Sequence, residues 1–369
     1  TTLFDLMQRC GNVLLEPSWL HVWDVIADAA QRFGAHRVWF GLGPPAHQGA
    51  AIAGLAHAPI DEAERRRIAW ENLAELMQLP EGGPVIASRP APPFAKKAPA
   101  AGVFWRQFIE GKSLPVDVVD AHGHLGGIAT WSLRELDIER QIQCALARMD
   151  RLGIDMMIIS GAEALFSDPV EGNRRLADRL RPHGGRLQAY IAFNPHYHRQ
   201  LADAVDDLLA DPVFVGFKLL CDYWNVPVTD DRFTAVWEHA HAHRLPILLH
   251  TWDTANNSPR MLTDIVPRYP QACFLLGHSG GGDRGRREAE ALAGDHPNVY
   301  LEWCGSFCCR IPWEQTLEHV DPRRVVFGTD GVYHDLSWEL GRLLSLNVPD
   351  EIIEPILGQN MRRILAVRR

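Results

Sequence analysis

Short apolar runs alternate with helical segments from about residue 116 to the end of the chain. The runs are nearly continuously apolar, which is typical of parallel strands that are covered on both faces. Eight strand-and-helix units in about 250 residues match the size of a closed barrel. The sequence therefore predicts an α/β protein built on a (β/α)8 TIM barrel, with strands at 116–122, 154–161, 187–194, 213–219, 246–251, 273–278, 298–304 and 325–330.

Helical periodicity between the apolar runs supports the same architecture. An open, doubly wound sheet is the alternative, but no G-x-G-x-x-G fingerprint follows the first strand. The glycine cluster at 280–282 follows the sixth strand instead. Helices are predicted at 137–152, 172–180, 198–210, 231–243 and 258–269.

The first third of the chain precedes the barrel. We predict two domains, a mainly helical N-terminal extension over 1–115 and the barrel over 116–369. The proline- and alanine-rich stretch 80–101 is typical of an extended connector between them. Residues 61–79 are expected to form a helix, and residues 37–41 could form a strand.

Another helix of the extension is expected to begin near Pro17 and Ser18. Its broad apolar face would either cover the barrel mouth or form a subunit contact, and we favour a homodimer because assembly buries such faces. The face consists of Trp19, Leu20, Val22, Trp23, Val25, Ile26, Ala29 and Phe33.

Composition excludes several classes of function. A formal charge of -9 argues against a nucleic-acid binder and against attraction to anionic membranes. No apolar run approaches the roughly 20 residues that span a bilayer, and no signal-peptide pattern is visible. We therefore expect a cytoplasmic protein that acts on a small molecule. The 7 scattered cysteines, without a C-x-x-C pair, predict reduced thiols.

Metal-capable side chains stand at the ends of four predicted strands. His122 and His124 end the first strand, and alternate residues of a strand point to the same side. His250 ends the fifth strand, His278 the sixth and Asp330 the eighth. Because parallel strands of a barrel carry function at their carboxyl ends, these side chains predict one convergent metal centre.

The individual roles leave alternatives open. His278 could be a ligand, a general acid or base, or a donor to a substrate oxyanion. Asp330 could cap the next helix, but we favour a ligand that also accepts a proton from water. Lys218, which ends the fourth strand, could be a carbamylated bridge between two metals, an ammonium that holds a substrate carboxylate, or a partner of Asp222 or Glu302.

Imidazole nitrogens with one carboxylate predict zinc, as one or two ions, with Mn²⁺ or Fe²⁺ as alternatives. A catalytic zinc keeps one position open for water and lowers its pKa to about 7. Asp330 would then deprotonate the water, and His278 would stabilise the charge that develops on a scissile carbonyl.

These segments resemble the amidohydrolase superfamily, and above all amidohydrolase family 2, which contains aminocarboxymuconate-semialdehyde decarboxylase beside many hydrolases. The resemblance covers 116–369 and implies that His122, His124, His250 and Asp330 hold the principal metal. It implies that His278 is catalytic or binds a second metal. In two-metal relatives a carbamylated strand-four lysine bridges the ions, at a place that corresponds to Lys218. Leu220 stands where many relatives carry a histidine, so this chain departs from them there. The motifs are 120–124, 216–219, 249–250, 277–281, 327–330 and the closing segment 356–365.

Two reactions use such a site. The leading hypothesis is hydrolysis of an amide, lactone or ester through a metal-activated water. The alternative is non-oxidative decarboxylation of an unsaturated or aromatic acid, for which Lys218 and Arg310 could supply positive charge. A third hypothesis is an inactive barrel that serves for binding. Aromatic residues that could stack on a planar substrate are Tyr223, Trp224, Trp252 and Trp303.

Overall fold

The computed structural model describes residues 2–43, 48–79, 102–127, 136–305 and 310–368. An eight-stranded parallel sheet in these residues follows the order β1 to β8, as the sequence predicts. An isolated parallel bridge between Gly123 and Gly331 joins the first strand to the segment after the last strand and brings the two edges of the sheet together. The strands are β1 Val119–Leu125, β2 Met156–Gly161, β3 Leu187–Ala192, β4 Phe214–Leu219, β5 Pro246–His250, β6 Cys273–Gly277, β7 Val299–Trp303 and β8 Val325–Phe327.

Helices separate the strands and fill the N-terminal region. The α-helices are α1 Thr2–Arg9, α2 Val25–Phe33, α3 Gln48–His57, α4 Glu62–Arg66, α5 Asn72–Leu76, α6 Val103–Ile109, α7 Ile138–Leu152, α8 Ala162–Phe166, α9 Pro169–Leu180, α10 His198–Leu209, α11 Cys221–Trp224, α12 Thr234–His243, α13 Asp283–Asp295, α14 Arg310–Thr316, α15 Leu336–Leu344, α16 Asp350–Glu354 and α17 Asn360–Ala366. Single π-helical turns at Arg67–Glu71 and Pro355–Gln359 join α4 to α5 and α16 to α17. Short 3-10 turns are Ala35–Arg37, Arg181–His183, Pro195–Tyr197, Asp231–Phe233, Pro259–Leu262, Val266–Arg268, His278–Gly280 and Pro322–Arg324.

Strand β1 begins and ends three residues later than the sequence predicts. Its register against β2 shifts between Asp120 and Gly123, which marks an irregularity in the strand. His122 and His124 therefore lie inside the pairing segment rather than at its end. All seven residues of β1 are buried, so both imidazoles point into the protein or its mouth rather than into bulk solvent.

Two predicted helices differ from the structure. The segment 258–269 forms only two 3-10 turns, and Pro267 explains why, since it has no N–H to continue a helix. The helix expected from residue 17 begins only at Val25. The residue before it, Asp24, adopts a left-handed conformation that no helix can run through.

The N-terminal region has an apolar core of its own and packs on the barrel. The predicted helix at 61–79 is present as α4, a π-helical turn and α5, whereas residues 37–41 provide only a bridge between Leu15 and Val38. Helix α3, which the sequence did not predict, packs closely against α15 because Gly341 lets Ala53 approach the backbone. The connector predicted at 80–101 lies outside the described residues. The core consists of Met7, Leu15, Ile26, Ala29, Ala30, Val38, Leu55, Ala58 and Ile68.

Buried ionic contacts fix the N-terminal region to the barrel. The Arg148 guanidinium on α7 lies 2.6 Å from the Asp24 carboxylate and 2.7 Å from the Asp335 carboxylate. It also donates a 2.7 Å hydrogen bond to the carbonyl of His57. Residues of both regions are thus joined through one side chain that is almost fully buried. Among the described residues, no helix has the length and apolar character needed to cross a bilayer.

Candidate metal centre

A cavity of about 900 Å³ opens at the carboxyl ends of the barrel strands. All the predicted ligand residues line it, together with Lys218. Aromatic side chains form much of the remaining wall and come from both the barrel and the N-terminal region. They include Trp19, Phe166, Tyr223, Trp252, Trp313, Tyr333 and Trp338.

The first group of side chains joins β1 to the segment after β8. Asp330 Oδ1 lies 3.1 Å from His124 Nε2 and 3.5 Å from His122 Nε2. These three ligand atoms are close enough to surround one cation. The geometry therefore brings together residues that are 208 positions apart in the sequence, as the strand-end pattern predicts.

Glu302 on β7 sets the proton position on His122. Its Oε2 lies 2.9 Å from His122 Nδ1, and a carboxylate can only accept there. With the proton on Nδ1, the Nε2 lone pair faces Lys218 Nζ at 2.6 Å and Asp330 Oδ1 at 3.5 Å. A carboxylate behind a histidine orients metal-binding imidazoles in this way. Glu302 also accepts from the backbone N–H of His278 at 3.2 Å.

Asp120 holds the backbone on both sides of the site in place. Asp120 on β1 accepts hydrogen bonds at 3.0 Å from the backbone N–H groups of His122 and Thr329. Asp330 itself has a φ of 56°, a left-handed conformation that is uncommon for residues other than glycine. Helix α15 is capped by Asp335 through the N–H of Ser337, so Asp330 does not serve as its cap.

The second group joins β5 to β6. His278 Nε2 lies 3.0 Å from His250 Nδ1, and His278 Nδ1 lies 3.3 Å from the carbonyl of Cys304. The two groups approach one another, since the ring centroids of His122 and His278 are 5.1 Å apart. Trp252 stacks on His250 with an interplanar angle of 5° and limits how that ring can turn.

Lys218 reaches the first group from β4. Its Nζ lies 2.6 Å from His122 Nε2, although the side chain is fully buried. The predicted pairing with Asp222 is not present, because Asp222 accepts from Thr254 Oγ1 at 2.7 Å. Within the part of the chain that the structure describes, Lys218 forms no ion pair with Glu302 either. Lys218 could still be a carbamylated bridge between two metals or an ammonium that holds a substrate carboxylate.

Burial shapes the charges in the cavity. Desolvation lowers the pKa of Lys218 to about 8 and that of His278 to about 4. Burial also lowers the pKa of His122 and of His250 well below the usual value. Burial opposes ionisation of Asp330, but the neighbouring histidines outweigh it and hold the pKa of that carboxyl well below its usual range. Burial thus favours imidazoles whose nitrogen lone pairs are available, which is the form that binds metals.

The residues present fit a divalent ion. Glu302 Oε1 is a buried atom without a hydrogen-bond partner among the described residues. Unsatisfied buried polar atoms are uncommon and often indicate an ion or water. A second cluster with metal-ligand spacing, His122, His278, Glu302 and Cys304, overlaps the first at His122.

The sequence pattern missed several residues of this cavity. The sequence predicts Glu302 only as a possible partner for Lys218. A carboxylate inside the apolar strand β7 is costly to bury, and this signal could have indicated a functional residue. Cys304 was predicted as a reduced thiol, and its Sγ lies 3.1 Å from His122 Nδ1. His21 and His334 line the cavity as well, and no local motif marks either of them.

A family model described as Amidohydrolase, Amidohydro_2, matches residues 119–367. The chain belongs to the amidohydrolase family. This confirms the family that the sequence motifs indicate, and the match begins with β1 and ends one residue after the last helix, α17.

Further comparisons relate this amidohydrolase to known proteins. It is 26% identical to Protein fluG of Emericella nidulans over 197 residues, which covers 39% of this chain and 22% of that protein. The chain thus spans about a fifth of the length of that curated relative.

Solved structures share the barrel. The fold is similar to a dihydroxybenzoic acid decarboxylase from Polaromonas with bound manganese, at a TM-score of 0.51 and 17% identity, covering 69% of this chain and 98% of that one. It is also similar to a manganese complex of a 5-carboxyvanillate decarboxylase from Novosphingobium aromaticivorans, at a TM-score of 0.53 and 14% identity, covering 68% and 96%. At these identities the amidohydrolase shares a fold with them.

Proposed function

We propose that this amidohydrolase is a metal-dependent hydrolase that cleaves an amide, ester or lactone bond of a small molecule. One observation carries the proposal. The amine of Lys218 lies 2.6 Å from His122 Nε2, where imidazoles of β1, β5 and β6 and the Asp330 carboxylate converge. This set offers ligands for two ions and a side chain that could bridge them.

The ligand roles follow from the two groups. His122, His124 and Asp330 would hold the principal ion, and His250 would complete its shell. With a second ion present, His250 and His278 would hold it and Lys218 would bridge the pair. Zinc is the first choice for imidazole and carboxylate ligands, and manganese fits the same donors. The manganese in the Polaromonas relative supports including that metal in the tests.

When bound, a divalent ion supplies Lewis-acid chemistry that makes water ionise near neutral pH and polarises a carbonyl. Asp330 is ionised at neutral pH and is therefore able to accept the proton of the attacking water. His278 would bind the carbonyl oxygen and stabilise the charge that develops there. The aromatic walls exclude bulk water from the reacting groups.

Bridging requires modification of Lys218. The neutral amine attacks carbon dioxide, a nitrogen–carbon bond forms and one proton leaves for solvent, which gives a carbamate with two ligand oxygens. The lowered pKa of Lys218, which results from its burial, favours the neutral amine that this reaction needs. Carbon-13 NMR of protein incubated with labelled bicarbonate and zinc should show one carbamate signal that Lys218→Met abolishes.

Decarboxylation is the second candidate, and the relatives that are named decarboxylases favour it. In that reaction the centre would bind oxygens of an aromatic acid, and a protonated side chain would supply a proton to the carbon that loses carbon dioxide. The stacked Trp252 and His250 and the neighbouring Tyr223 offer flat surfaces for such a ring.

One experiment separates the two. Metal-free protein, reloaded with zinc or manganese, is assayed on panels of amides, esters, lactones and aromatic acids. Oxygen-18 from labelled water in the product, with two ions per chain, would support hydrolysis. Release of carbon dioxide with one ion and an unmodified Lys218 would support decarboxylation. Protein that takes up neither metal would contradict both and favour a binding role. A dimeric state and a cytoplasmic location stay predictions.

A further inference from the structure

The thiol of Cys304, directly after β7, has an unusual environment. The buried cysteines that begin α11 and β6 belong to apolar clusters, where a thiol packs as a small hydrophobic group. Cys304 is buried too, but it lines the cavity and has three polar neighbours. Its Sγ lies 3.1 Å from His122 Nδ1, 3.3 Å from Glu302 Oε2 and 3.4 Å from His278 Nδ1. We call these four side chains the thiol cluster.

The spacing within the thiol cluster matches a tetrahedral metal site. The ligand atoms, one from each residue, all lie within 4.8 Å of one another. Tetrahedral bonds of about 2.0–2.3 Å to nitrogen, oxygen and sulfur put neighbouring ligand atoms about 3.3–3.8 Å apart. The contacts of Cys304 Sγ lie between 3.1 and 3.4 Å, so small outward shifts of the side chains would admit an ion.

The backbone leaves room beside one of these ligand atoms. Gly305 follows Cys304, and a Cβ at that position would lie 3.0 Å from His278 Nδ1. Gly305 has a φ of 60°, which glycine adopts without strain. The glycine thus keeps the Nδ1 side of His278 clear of a side chain that would fill this space.

The charges of the thiol cluster also suit a cation. Glu302 is fully buried, and its Oε1 has no hydrogen-bond partner among the described residues. Once the thiol is deprotonated, Glu302 and Cys304 carry two negative charges, which one divalent cation neutralises. This balance matters because an uncompensated charge is costly to bury.

The thiol cluster favours a different kind of ion from the cluster of His122, His124 and Asp330, which we call the aspartate cluster. Thiolates select zinc and softer cations, whereas manganese prefers oxygen ligands. His122 belongs to both clusters through different atoms, since its Nε2 faces Asp330 and its Nδ1 faces Glu302 and the thiol. The two clusters therefore cannot both use the neutral ring.

We propose that the thiol cluster is a separate metal site, which binds a thiophilic divalent cation such as zinc or cadmium and thereby opposes metal binding at the aspartate cluster. Binding forms a metal–sulfur bond at Cys304 and releases the thiol proton to solvent. The proton of His122 moves from Nδ1 to Nε2, where Asp330 Oδ1 lies 3.5 Å away and accepts the hydrogen bond. Nε2 then has no lone pair for the aspartate cluster. This competition rests on the proposed function, whereas the thiol site itself does not.

Cadmium titration of the manganese-loaded full chain tests the site. Cadmium bound to a thiolate absorbs in the ultraviolet by charge transfer, and we expect one such cadmium per chain. Cys304→Ser should abolish the absorption and weaken binding of that ion by at least about tenfold, since even groups behind a ligand contribute that much. Cys308→Ser combined with Cys309→Ser removes the nearest other thiols in the sequence and should leave the absorption unchanged.

Two further measurements keep the test decisive. Cadmium-113 NMR of the wild-type protein should show a resonance typical of one sulfur with nitrogen and oxygen ligands, which does not depend on the folding of any variant. Glu302→Gln keeps the thiol and should weaken cadmium binding without abolishing the absorption. Absence of the absorption in the wild-type protein, or its survival in Cys304→Ser, would overturn the proposal.

Manganese released during the titration measures the competition, because free manganese has a strong electron paramagnetic resonance signal. In the wild-type protein the release should follow the thiolate absorption, and in Cys304→Ser it should require at least about tenfold more cadmium. Release at the same cadmium concentration in both proteins would overturn the competition. A chain that never holds manganese but still gives the absorption would contradict the proposed function and support the thiol site.

Discussion

The barrel and the N-terminal region use buried charges in different ways. In the barrel, Lys218, Glu302 and Asp330 converge at the mouth, where their functional groups face one another and a cavity. In the N-terminal region, Arg37 donates to the carbonyls of Met7, Cys10 and Val13, and contacts of this kind only hold the chain together. A buried charge therefore indicates chemistry when it meets other titratable groups beside a cavity, and structure when backbone carbonyls satisfy it.

The strongest test removes a ligand of the barrel site. Asp330→Asn and His122→Ala should each lower metal affinity and turnover by more than about a hundredfold, because even groups behind a ligand contribute about 10–100-fold. Metal analysis and activity assays measure the two effects. His319→Ala serves as the control, since that residue is exposed. Full metal content with full turnover in either variant would remove the basis of the site assignment.

The next test breaks the contact between the two regions. Arg148→Met leaves the Asp24 and Asp335 carboxylates without their buried partner, and should lower the free energy of unfolding by about 3–5 kcal/mol. Denaturant unfolding monitored by circular dichroism measures this change. Arg151→Met, which removes an exposed arginine of the same helix, should have a much smaller effect. Similar losses for both variants would show that the buried network contributes little.

Substitution of Glu302 should lower zinc affinity by less than the loss of a ligand does, and should leave the rest of the fold unchanged. Glu302→Gln replaces the acceptor for His122 Nδ1 with a weaker one, so zinc affinity should fall by about 10–100-fold. Competition with a chromogenic chelator measures the affinity, and Glu351→Gln on the surface is the control. Unchanged affinity would mean that Glu302 only fills space between β1 and β7.

The smallest expected effect is on how the free energy of unfolding depends on pH, through His57 of the N-terminal region. Burial lowers the pKa of His57 to about 4, against about 6.5 in an unfolded chain. Between these values the unfolded state binds more protons than the folded one, so the free energy of unfolding falls as the pH falls. His57→Gln should reduce that slope by up to about 1.4 kcal/mol per pH unit. Unfolding measured at several pH values from 7 to 4.5 checks it, and an unchanged slope would contradict the prediction.

Sequence predicted the barrel well and the N-terminal region less well. Strands such as Cys273–Gly277 are short, apolar and regularly spaced, so local pattern and global fold agree there. In the N-terminal region, the apolar stretch from Trp19 looked helical. It instead forms turns on either side of the bridge at Val22, because tertiary contacts to the segment after β8 determine its conformation. Such contacts between distant residues leave no periodic signal.

In the candidate site, too, the barrel residues could be predicted from sequence and the residues that depend on the N-terminal region could not. His122, His124, His250, His278 and Asp330 could be predicted because each lies in a strand or within three residues of its end, where the fold fixes its position. His21 and His334 could not, since they meet only through the docking of one region on the other. The function of the predicted residues is a proposal, whereas their convergence around one cavity is a property of the fold.

The seam between the first and last strands has a consequence for assembly. His124 stands on one side of the seam and Asp330 on the other, beside the pair Gly123 and Gly331 that joins the two edges. During synthesis, the proposed ion site cannot assemble until more than 200 further residues have left the ribosome after β1. A cation held at the proposed site would bind only the assembled barrel, and would therefore stabilise it against opening between β1 and β8 by mass action.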